Sequence, residues 1–185
     1  MIRHKFEQGF GLIEVLVALL IIAVGLLGTI ALQSRAMQAE LESYQRVQAM
    51  MLVEDMVARI SANRRLGVRD CYVHTADYLG VGSTYDGTTA CVPVDPVADA
   101  DLNAWDSLLR GSSVTLDGNN IGAMIGARGC ITSNAAGDIF TIAVAWQGLY
   151  PTVESDNPCA ADEYGEDGWR RVLVRQVEFA DLSGN

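Results

Sequence analysis

The apolar residues of the first third of the chain form one almost unbroken run. No polar side chain occurs in residues 15–28, and the run ends at Leu32. A helix over residues 12–32 is long enough to cross a bilayer at ~1.5 Å per residue. Arg3 and Lys5 precede it, so the positive-inside tendency predicts a cytoplasmic N-terminus and places the rest of the chain in the periplasm or outside the cell.

After Leu32 the pattern predicts that the helix continues to Leu66, because residues 33–66 contain neither Pro nor Gly. Gly67 then offers a C-cap. A helix over residues 10–66 would be about 85 Å long, so we expect its first half to project from the domain. The second half is amphipathic and is predicted to pack through one apolar row, with polar residues elsewhere. The predicted row is Val47, Met50, Val53, Val57 and Ile60 with Met51 alongside, and the predicted polar face is Gln45, Gln48, Glu54, Asp55 and Arg59.

The remainder of the chain alternates turn signals with short apolar segments. Residues 70–96 are predicted as a loop, and residues 98–109 as a short helix packed by Trp105. Strands are predicted over residues 113–116, 127–132, 139–146 and 170–179, with turns at 117–120 and 133–138. This order predicts an α+β fold in which an antiparallel sheet of about four strands lies on the C-terminal half of the long helix.

One charge interrupts the apolar segment. Glu14 lies near its start, directly after the junction Gly9-Phe10, and an acidic residue in such a helix is costly. A signal peptide would have a shorter apolar core and a small-x-small cleavage site, which Gln33-Ser34-Arg35-Ala36 does not supply. A plain signal anchor would need neither Glu14 nor the Gly9-Phe10 junction. The basic leader, the junction, Glu14 and the long helix together resemble the class III leader of type IV pilins and the related pseudopilins.

The resemblance implies a role for each residue of the leader. A prepilin peptidase would cut between Gly9 and Phe10 and would N-methylate the Phe10 amine. Glu14 would neutralise that amine on a neighbouring subunit, an ion pair that makes the buried carboxylate tolerable. The alternative for Glu14 is that it snorkels to the headgroups.

The resemblance also implies the division of the chain. Residues 1–9 would be the cleaved leader, 10–32 the transmembrane and filament-core helix, 33–66 the amphipathic continuation, and 67–185 a periplasmic head. Gly11 stands where many relatives have Thr or Ser. Gly25 and Gly28 serve either close helix packing or local unwinding when the subunit leaves the bilayer, and the sequence leaves both open.

The charge and the lysine content of the chain limit its possible partners and the way in which subunits can be joined. The formal net charge is -10, and residues 67–185 hold 6 basic and 17 acidic side chains. Such a head should repel nucleic acid. Lys5 is the only lysine and lies in the leader, which argues against pili joined by isopeptide bonds.

Four cysteines in the head predict two disulfides formed in an oxidising compartment. The residues allow three connectivities. Sequential closure is simple and pilin relatives often pin their C-terminal loop in this way, which favours Cys71–Cys91 with Cys130–Cys159.

The chain offers no convincing catalytic, cofactor or metal site. His74 has no nucleophile placed beside it. Asp99, Asp101 and Asn103 begin like a calcium loop, but Ala104 and Arg110 replace its required Gly and closing Glu. The acidic segment 162–167 allows weak calcium binding, as in some pseudopilins, but clustered carboxylates alone do not fix a site and a solvated loop is favoured. Gly122, Gly126 and Gly129 do not match a dinucleotide fingerprint. We therefore predict a non-enzymatic protein without a cofactor.

The continuation to Leu26-Leu27-Gly28 and Leu32-Gln33 looks most like minor pilins of the PilV type. That resemblance implies Sec-dependent insertion into the inner membrane with a periplasmic head, followed by incorporation in a pilus, at its tip. It implies a priming complex that starts pilus assembly and supports twitching motility and adhesin display. The implied partners are the prepilin peptidase, other minor pilins, the major pilin, the inner-membrane assembly platform and a large tip adhesin. An I-type minor pseudopilin of type II secretion and a membrane-anchored periplasmic binding module are the alternatives.

Overall fold

A computed structural model describes residues 11–63, 69–73, 78–87, 91, 95–120, 122 and 124–179. The chain divides into two compact units, Met1–Leu41 and Glu42–Asn185. His74 and Gly67 lie outside the described residues, as does the Gly9-Phe10 junction.

The long helix α1 spans Leu12–Ala62, so the predicted continuous helix is confirmed up to that residue. Its predicted end at Leu66 is wrong, because Asn63 is already outside the helix. The Asn63 amide still donates to the Arg59 carbonyl oxygen, but its side chain turns to other partners. Its Nδ2 donates to the Tyr72 hydroxyl and to Asp95 Oδ1, each at 3.1 Å. These contacts hold Asn63 against later segments of the chain. The periodicity of the sequence did not predict that the helix ends here.

The buried face of α1 differs from the predicted row. Its core residues are Ala49, Val53, Met56 and Ile60, all at most 1 % exposed. Val53 and Ile60 were predicted correctly and Val57 is half-buried, whereas Val47, Met50 and Met51 are 50 %, 52 % and 66 % exposed. Gln45, assigned to the polar face, is buried. The helix carries apolar side chains on more than one face, and periodicity alone cannot tell which face meets the sheet.

The second helix, α2, spans Pro96–Leu109 and confirms the predicted short helix with a slightly earlier start. Asp95 caps it, accepting hydrogen bonds from the amides of Val97 at 3.0 Å and Ala98 at 2.8 Å. Pro96 at the first helical position needs no hydrogen-bond partner for its nitrogen. Trp105 is fully buried, and its indole Nε1 donates to the Leu52 carbonyl of α1 at 2.9 Å. This contact fixes α2 on the C-terminal part of α1.

The main sheet has four antiparallel strands in the order β1-β4-β5-β6. They are β1 (Leu79–Gly80), β4 (Arg128–Ser133), β5 (Ile139–Gln147) and β6 (Arg170–Glu178). Strands β2 (Thr115–Leu116) and β3 (Asn119–Asn120) form a separate hairpin. Two 3₁₀ helices, Arg69–Tyr72 and Asp167–Trp169, lie between these elements.

The predicted number of strands is confirmed, but one predicted member is wrong. The segment 113–116 contributes β2, which pairs with β3 rather than with the main sheet. Its place is taken by β1, from the segment predicted to be a loop, where Leu79 pairs with Gly129. A two-residue strand is too short to show the alternation on which strand prediction depends.

The sheet separates two apolar clusters. Alternate residues of β5, namely Phe140, Ile142, Val144 and Trp146, point into the main core with α1 and α2. The intervening Ala143 and Ala145 point to the opposite face, where they pack against Cys159 and Ala160. The segment 159–160 therefore covers the sheet on the face opposite to the helices.

Two disulfides account for all four cysteines. Cys71 is joined to Cys91 with Cα atoms 5.0 Å apart, and Cys130 is joined to Cys159 with Cα atoms 5.8 Å apart. These are the pairs favoured from the sequence. The second bond ties the segment after β5 back to β4.

The close approach of β4 to α2 yields a first prediction. Gly129 faces Trp105 so closely that an added Cβ would overlap the indole ring and lie 2.8 Å from Leu109 Cδ1. We expect Gly129→Ala to lower the free energy of unfolding by roughly 1–3 kcal/mol through overpacking. Thr132→Ala, at an exposed position of the same strand, is the control. Equal denaturant midpoints for the two variants would contradict this packing.

The Cys130–Cys159 bond yields a second prediction. Replacing both cysteines with serine should lower the free energy of unfolding by about 2–4 kcal/mol, because the unfolded chain loses a constraint. The measurement is chemical unfolding under oxidising conditions. A reductant opens both disulfides of the wild-type chain and the remaining Cys71–Cys91 bond of the variant, so under reducing conditions the two chains should have similar midpoints. Equal midpoints already under oxidising conditions would count against a stabilising role.

Candidate functional site

The N-terminal part of α1 presents an apolar surface. Every residue from 11 to 41 is exposed, and the side chains of residues 15–28 are all apolar. Thr29 does not interrupt this surface strongly, because its hydroxyl donates to the Leu26 carbonyl of its own helix at 2.8 Å. By length and composition, α1 contains a segment able to cross a membrane. A surface of this kind needs a lipid or protein environment, because water would otherwise contact the sixteen large apolar side chains that residues 11–41 expose.

Glu14 lies in the first turn of α1, where a negative charge suits the helix dipole. Its backbone amide donates to the Gly11 carbonyl at 3.0 Å. It is the only charged side chain in residues 12–32. The structure therefore places the predicted assembly carboxylate at the start of the apolar helix. Gly9 and Phe10, predicted for cleavage and methylation, lie outside the described residues.

In the globular unit, a second carboxylate of α1 holds a loop. Glu42 Oε1 accepts hydrogen bonds from the Leu149 amide at 2.7 Å and from Arg171 at 3.4 Å. Both charged side chains are about 15 % exposed. Arg171 also donates to the carbonyl oxygens of Gly168 and Tyr150, at 3.1 Å and 2.6 Å. We call these contacts of Glu42 and Arg171 the clasp. The clasp joins the first residue of the unit to both ends of the segment between β5 and β6.

Arg170, which directly precedes Arg171 in β6, binds the same segment from the other side of the sheet. Its guanidinium donates to the carbonyl oxygens of Ser155, Asn157 and Cys159 at 2.6–2.9 Å. It is 2 % exposed, so its charge is stabilised by these dipoles instead of water. The Cys130–Cys159 disulfide lies at the same point. The disulfide and the guanidinium of Arg170 thus both hold the segment 155–159.

Arg128 forms a third cationic contact in this region. Its guanidinium lies between the rings of Tyr78 and Tyr164, 4.8 Å and 4.7 Å from their centroids, and bonds Glu163 at 3.1 Å. Cation–π contacts of this kind stabilise a partly desolvated arginine. The Tyr164 hydroxyl donates to the Gly126 carbonyl at 2.8 Å. Burial raises the pKa of Tyr164 above its ordinary value, although Arg128 opposes the shift.

Asp101, one of the acidic residues considered for calcium, is engaged in other contacts. The oxygens of Asp101 accept hydrogen bonds from the Tyr72 hydroxyl at 2.6 Å and from Arg59 at 2.9 Å. Burial raises the pKa of Tyr72, and its hydrogen bond to Asp101 raises it further. Within the described part of the chain, the His, Cys, Asp and Glu side chains form no group of three that could hold a metal ion. Gly122, Gly126 and Gly129 lie in a turn region and in β4, without a following helix.

No sequence pattern predicted the roles of Glu42, Arg128, Arg170 and Arg171. One feature of the sequence could have pointed to the arginines. Cationic side chains are scarce in this acidic chain, and two of them, Arg170 and Arg171, are adjacent at the start of a predicted strand. Alternation along β6 puts Arg170 and Arg171 on opposite faces. Their partners, however, are mainly backbone carbonyls of an irregular segment, which no side-chain pattern identifies.

Two family models match the chain. The model of Tt1218-like type IV pilins matches residues 31–108, and the model of the prokaryotic N-terminal methylation motif matches residues 4–30. No curated protein and no solved structure matches it. The α+β fold, with its long N-terminal helix, four-stranded antiparallel sheet and two disulfides, agrees with these matches. The chain belongs to the type IV pilin family.

Membership has consequences for location and processing. The apolar helix and the leader motif fit a pilin that is anchored in the inner membrane and later incorporated in a pilus. The methylation motif implies processing by a prepilin peptidase and assembly with other pilins. The family is structural and not enzymatic.

The clasp between α1 and the segment after β5 yields a third prediction. Glu42→Ala removes an acceptor from the Leu149 amide and leaves Arg171 without its carboxylate. We expect the free energy of unfolding to fall by about 1–3 kcal/mol. Glu40→Ala, an exposed carboxylate of the same helix, should change it by less than ~0.5 kcal/mol. Comparable losses in both variants, measured by thermal unfolding in detergent, would exclude a specific role for Glu42.

Proposed function

We propose that this pilin is a minor pilin of the PilV type, which joins other minor pilins in a priming complex at the tip of a type IV pilus. The observation that carries the proposal is the isolated carboxylate of Glu14 at the start of an otherwise apolar, membrane-length helix. A plain membrane anchor has no need of that charge, whereas a subunit that packs beside a neighbour's new amine does. The proposed domains remain 1–9, 10–32, 33–66 and 67–185.

The proposed mechanism begins with insertion of the chain and placement of its globular unit in the periplasm. The prepilin peptidase cuts between Gly9 and Phe10 and methylates the Phe10 amine. Glu14 then pairs with the amine of a neighbouring subunit while the apolar helices associate on the inner-membrane assembly platform. The strongly acidic globular unit meets other minor pilins and a large tip adhesin, and the finished pilus supports twitching motility.

An I-type minor pseudopilin of a type II secretion system is the second candidate. It would use the same leader, cleavage and membrane topology, and it differs in the machine that it primes. A membrane-anchored binding module without a filament role is the third, and it would not require peptidase processing.

Deletion in the native host separates the first two candidates. We expect loss of surface pili and of twitching with normal enzyme secretion. Loss of secreted enzyme activity with normal piliation would assign the chain to the secretion system. Restoration by the wild-type gene from a plasmid excludes effects on neighbouring genes.

Substitution of Glu14 tests the assembly ion pair. Glu14→Ala should leave cleavage intact, seen as a mature-size band, and should reduce recovery in sheared pili by about tenfold or more. This estimate takes the loss of a charge pair in an apolar setting as at least 1.4 kcal/mol. Glu40→Ala is the matched control on the same helix. Normal recovery of the Glu14 variant would remove the ion pair from the mechanism, and a Gly9→Val chain that is still processed would exclude the cleavage site.

A further inference from the structure

Strand β6 forms one edge of the main sheet. Within the part of the chain that the structure describes, it pairs with β5 alone, over nine residues in unbroken register from Arg170 to Glu178. The opposite edge is formed by β1, which has two residues. A sheet edge carries unpaired main-chain groups, and a longer strand carries more of them. β6 is therefore the edge that is long enough to pair with another strand.

Two hydrogen bonds at the ends of the ladder show which main-chain groups of β6 point away from β5. The Phe179 amide donates to the Asp138 carbonyl, and the Gly148 amide donates to the Trp169 carbonyl, each at 2.8 Å. In an antiparallel pair, residues that exchange hydrogen bonds with the partner strand alternate with residues that do not. The odd-numbered residues of β6 consequently bind β5, and the even-numbered ones direct their N–H and C=O groups to the free edge. From the second turn of the pleat onward, these outward-facing residues are Val172, Val174, Gln176 and Glu178.

The central part of this edge lacks the devices that usually prevent two sheet edges from pairing. Such devices include proline, a bulge or an uncommitted charge. Residues 172–177 contain no proline or glycine, and their register with β5 has no bulge. The charge within them, on Arg175, is bound to Glu54 of α1 at 3.1 Å. Val174, with an exposed fraction of 43 %, and the exposed Gln176 leave the edge accessible.

The direction of α1 argues against a second copy of this chain as the partner strand. Glu42 contacts Arg171 and Glu54 contacts Arg175, so α1 and β6 run in the same direction in the globular unit. Two copies paired antiparallel through β6 would have their Glu42 ends facing opposite ways, whereas two chains anchored in one membrane enter it from the same side. The net negative charge of both units opposes antiparallel and parallel pairing alike.

The side chains along the edge define the chemistry of the partner. Val172 and Val174 lie on the same face of β6, so an incoming strand gains most from apolar side chains beside them. The exposed carboxylate of Glu178 has no ion-pair or hydrogen-bond partner among the described residues. A cation directly opposite this carboxylate would stabilise the pairing, and the acidic unit as a whole favours the same sign of charge.

From these observations we propose that the β6 edge accepts an extended segment of a different protein, which adds a strand to the main sheet. The segment carries apolar side chains next to Val172 and Val174 and a lysine or arginine next to Glu178. Main-chain hydrogen bonds to the outward-facing residues hold the strand, and its side chains provide the selectivity. This strand addition goes beyond the minor pilin assignment, because it does not depend on which machine the chain primes.

Photo-cross-linking in living cells tests the strand addition. Benzoylphenylalanine replaces Gln176 in the full-length chain, cells are irradiated, and the adducts are identified by mass spectrometry. We expect an adduct to a segment of another protein that combines apolar residues with a lysine or arginine. The matched control carries the same group at Thr132, which is exposed on β4 in the same row of the sheet but two strands away from the edge, and should give no such adduct.

Proline at position 174 distinguishes main-chain pairing from a contact between side chains. The Val174 N–H points to the free edge, so Val174→Pro removes a donor from the incoming strand and none from β5. We expect the adduct yield at position 176 to fall by about tenfold, whereas Val174→Thr, which keeps the N–H, should change it by less than about twofold. Thermal unfolding in detergent shows whether each variant folds. If Val174→Pro unfolds, Gln176→Pro with benzoylphenylalanine at position 174 gives the same test.

Charge reversal tests the proposed cation. Glu178→Lys should lower the adduct yield by about tenfold, and replacing the captured lysine or arginine with glutamate should restore it. Glu154→Lys is the control, because Glu154 is an exposed carboxylate of the segment between β5 and β6. It should leave the yield unchanged.

Several outcomes would overturn the strand addition. Adducts from position 176 that are confined to a second copy, to the same chain or to lipid would do so. Equal yields from the folded Val174→Pro and Val174→Thr chains would exclude main-chain pairing, and an unchanged yield from Glu178→Lys would exclude the selecting charge. None of these results bears on the minor pilin assignment, which deletion of the gene tests separately.

Discussion

The structure depends on a single helix that has to suit two environments along one continuous backbone. Its first part satisfies all backbone hydrogen bonds internally and exposes apolar side chains around its whole circumference, as hydrocarbon surroundings require. Its last part buries one row, Ala49, Val53, Met56 and Ile60, against the sheet and α2. A break between the two parts would uncouple the membrane segment from the domain, and residues 12–62 accordingly contain no proline.

Strong and long patterns of the sequence predicted the corresponding parts of the fold, and weak or short ones did not. The apolar run, the strand around Phe140 and the helix around Trp105 each repeat their signal over many residues. Strand β1 has two residues, and Asn63, just after α1, is held by the nearby Tyr72 and by Asp95, which is 32 positions further along the chain. The contact with Asp95 is a tertiary one that no local window contains. The buried row of α1 was misassigned for a related reason, since apolar residues on the exposed face imitate a core-facing stripe.

The residues of the candidate site also divide into those that the sequence identifies and those whose role only the structure shows. Glu14 is conspicuous because its neighbours are apolar, so the sequence identifies it at once. The arginines that organise the segment after β5 are conspicuous only in the structure, because they bind carbonyl oxygens, which every residue has. Arg128, Arg170 and Arg171 all engage partners within the globular unit. The excess of acidic side chains therefore makes the electrostatic potential around the unit negative. Salt screens the repulsion between two such acidic surfaces, so their association will strengthen as the salt concentration rises.

The two disulfides form in a different compartment from the one in which the chain is synthesised. Each closes a modest stretch of chain, since the paired cysteines are 20 and 29 positions apart, and one of the bonds fixes the segment that Arg170 also holds. Thiols remain reduced in the cytosol, so neither bond can form before the chain has crossed the inner membrane. The newly made globular part therefore lacks two covalent constraints while it is still cytosolic, and its folded form is less stable there. Oxidation on the far side then stabilises the folded form, so the globular part reaches its full stability only after export.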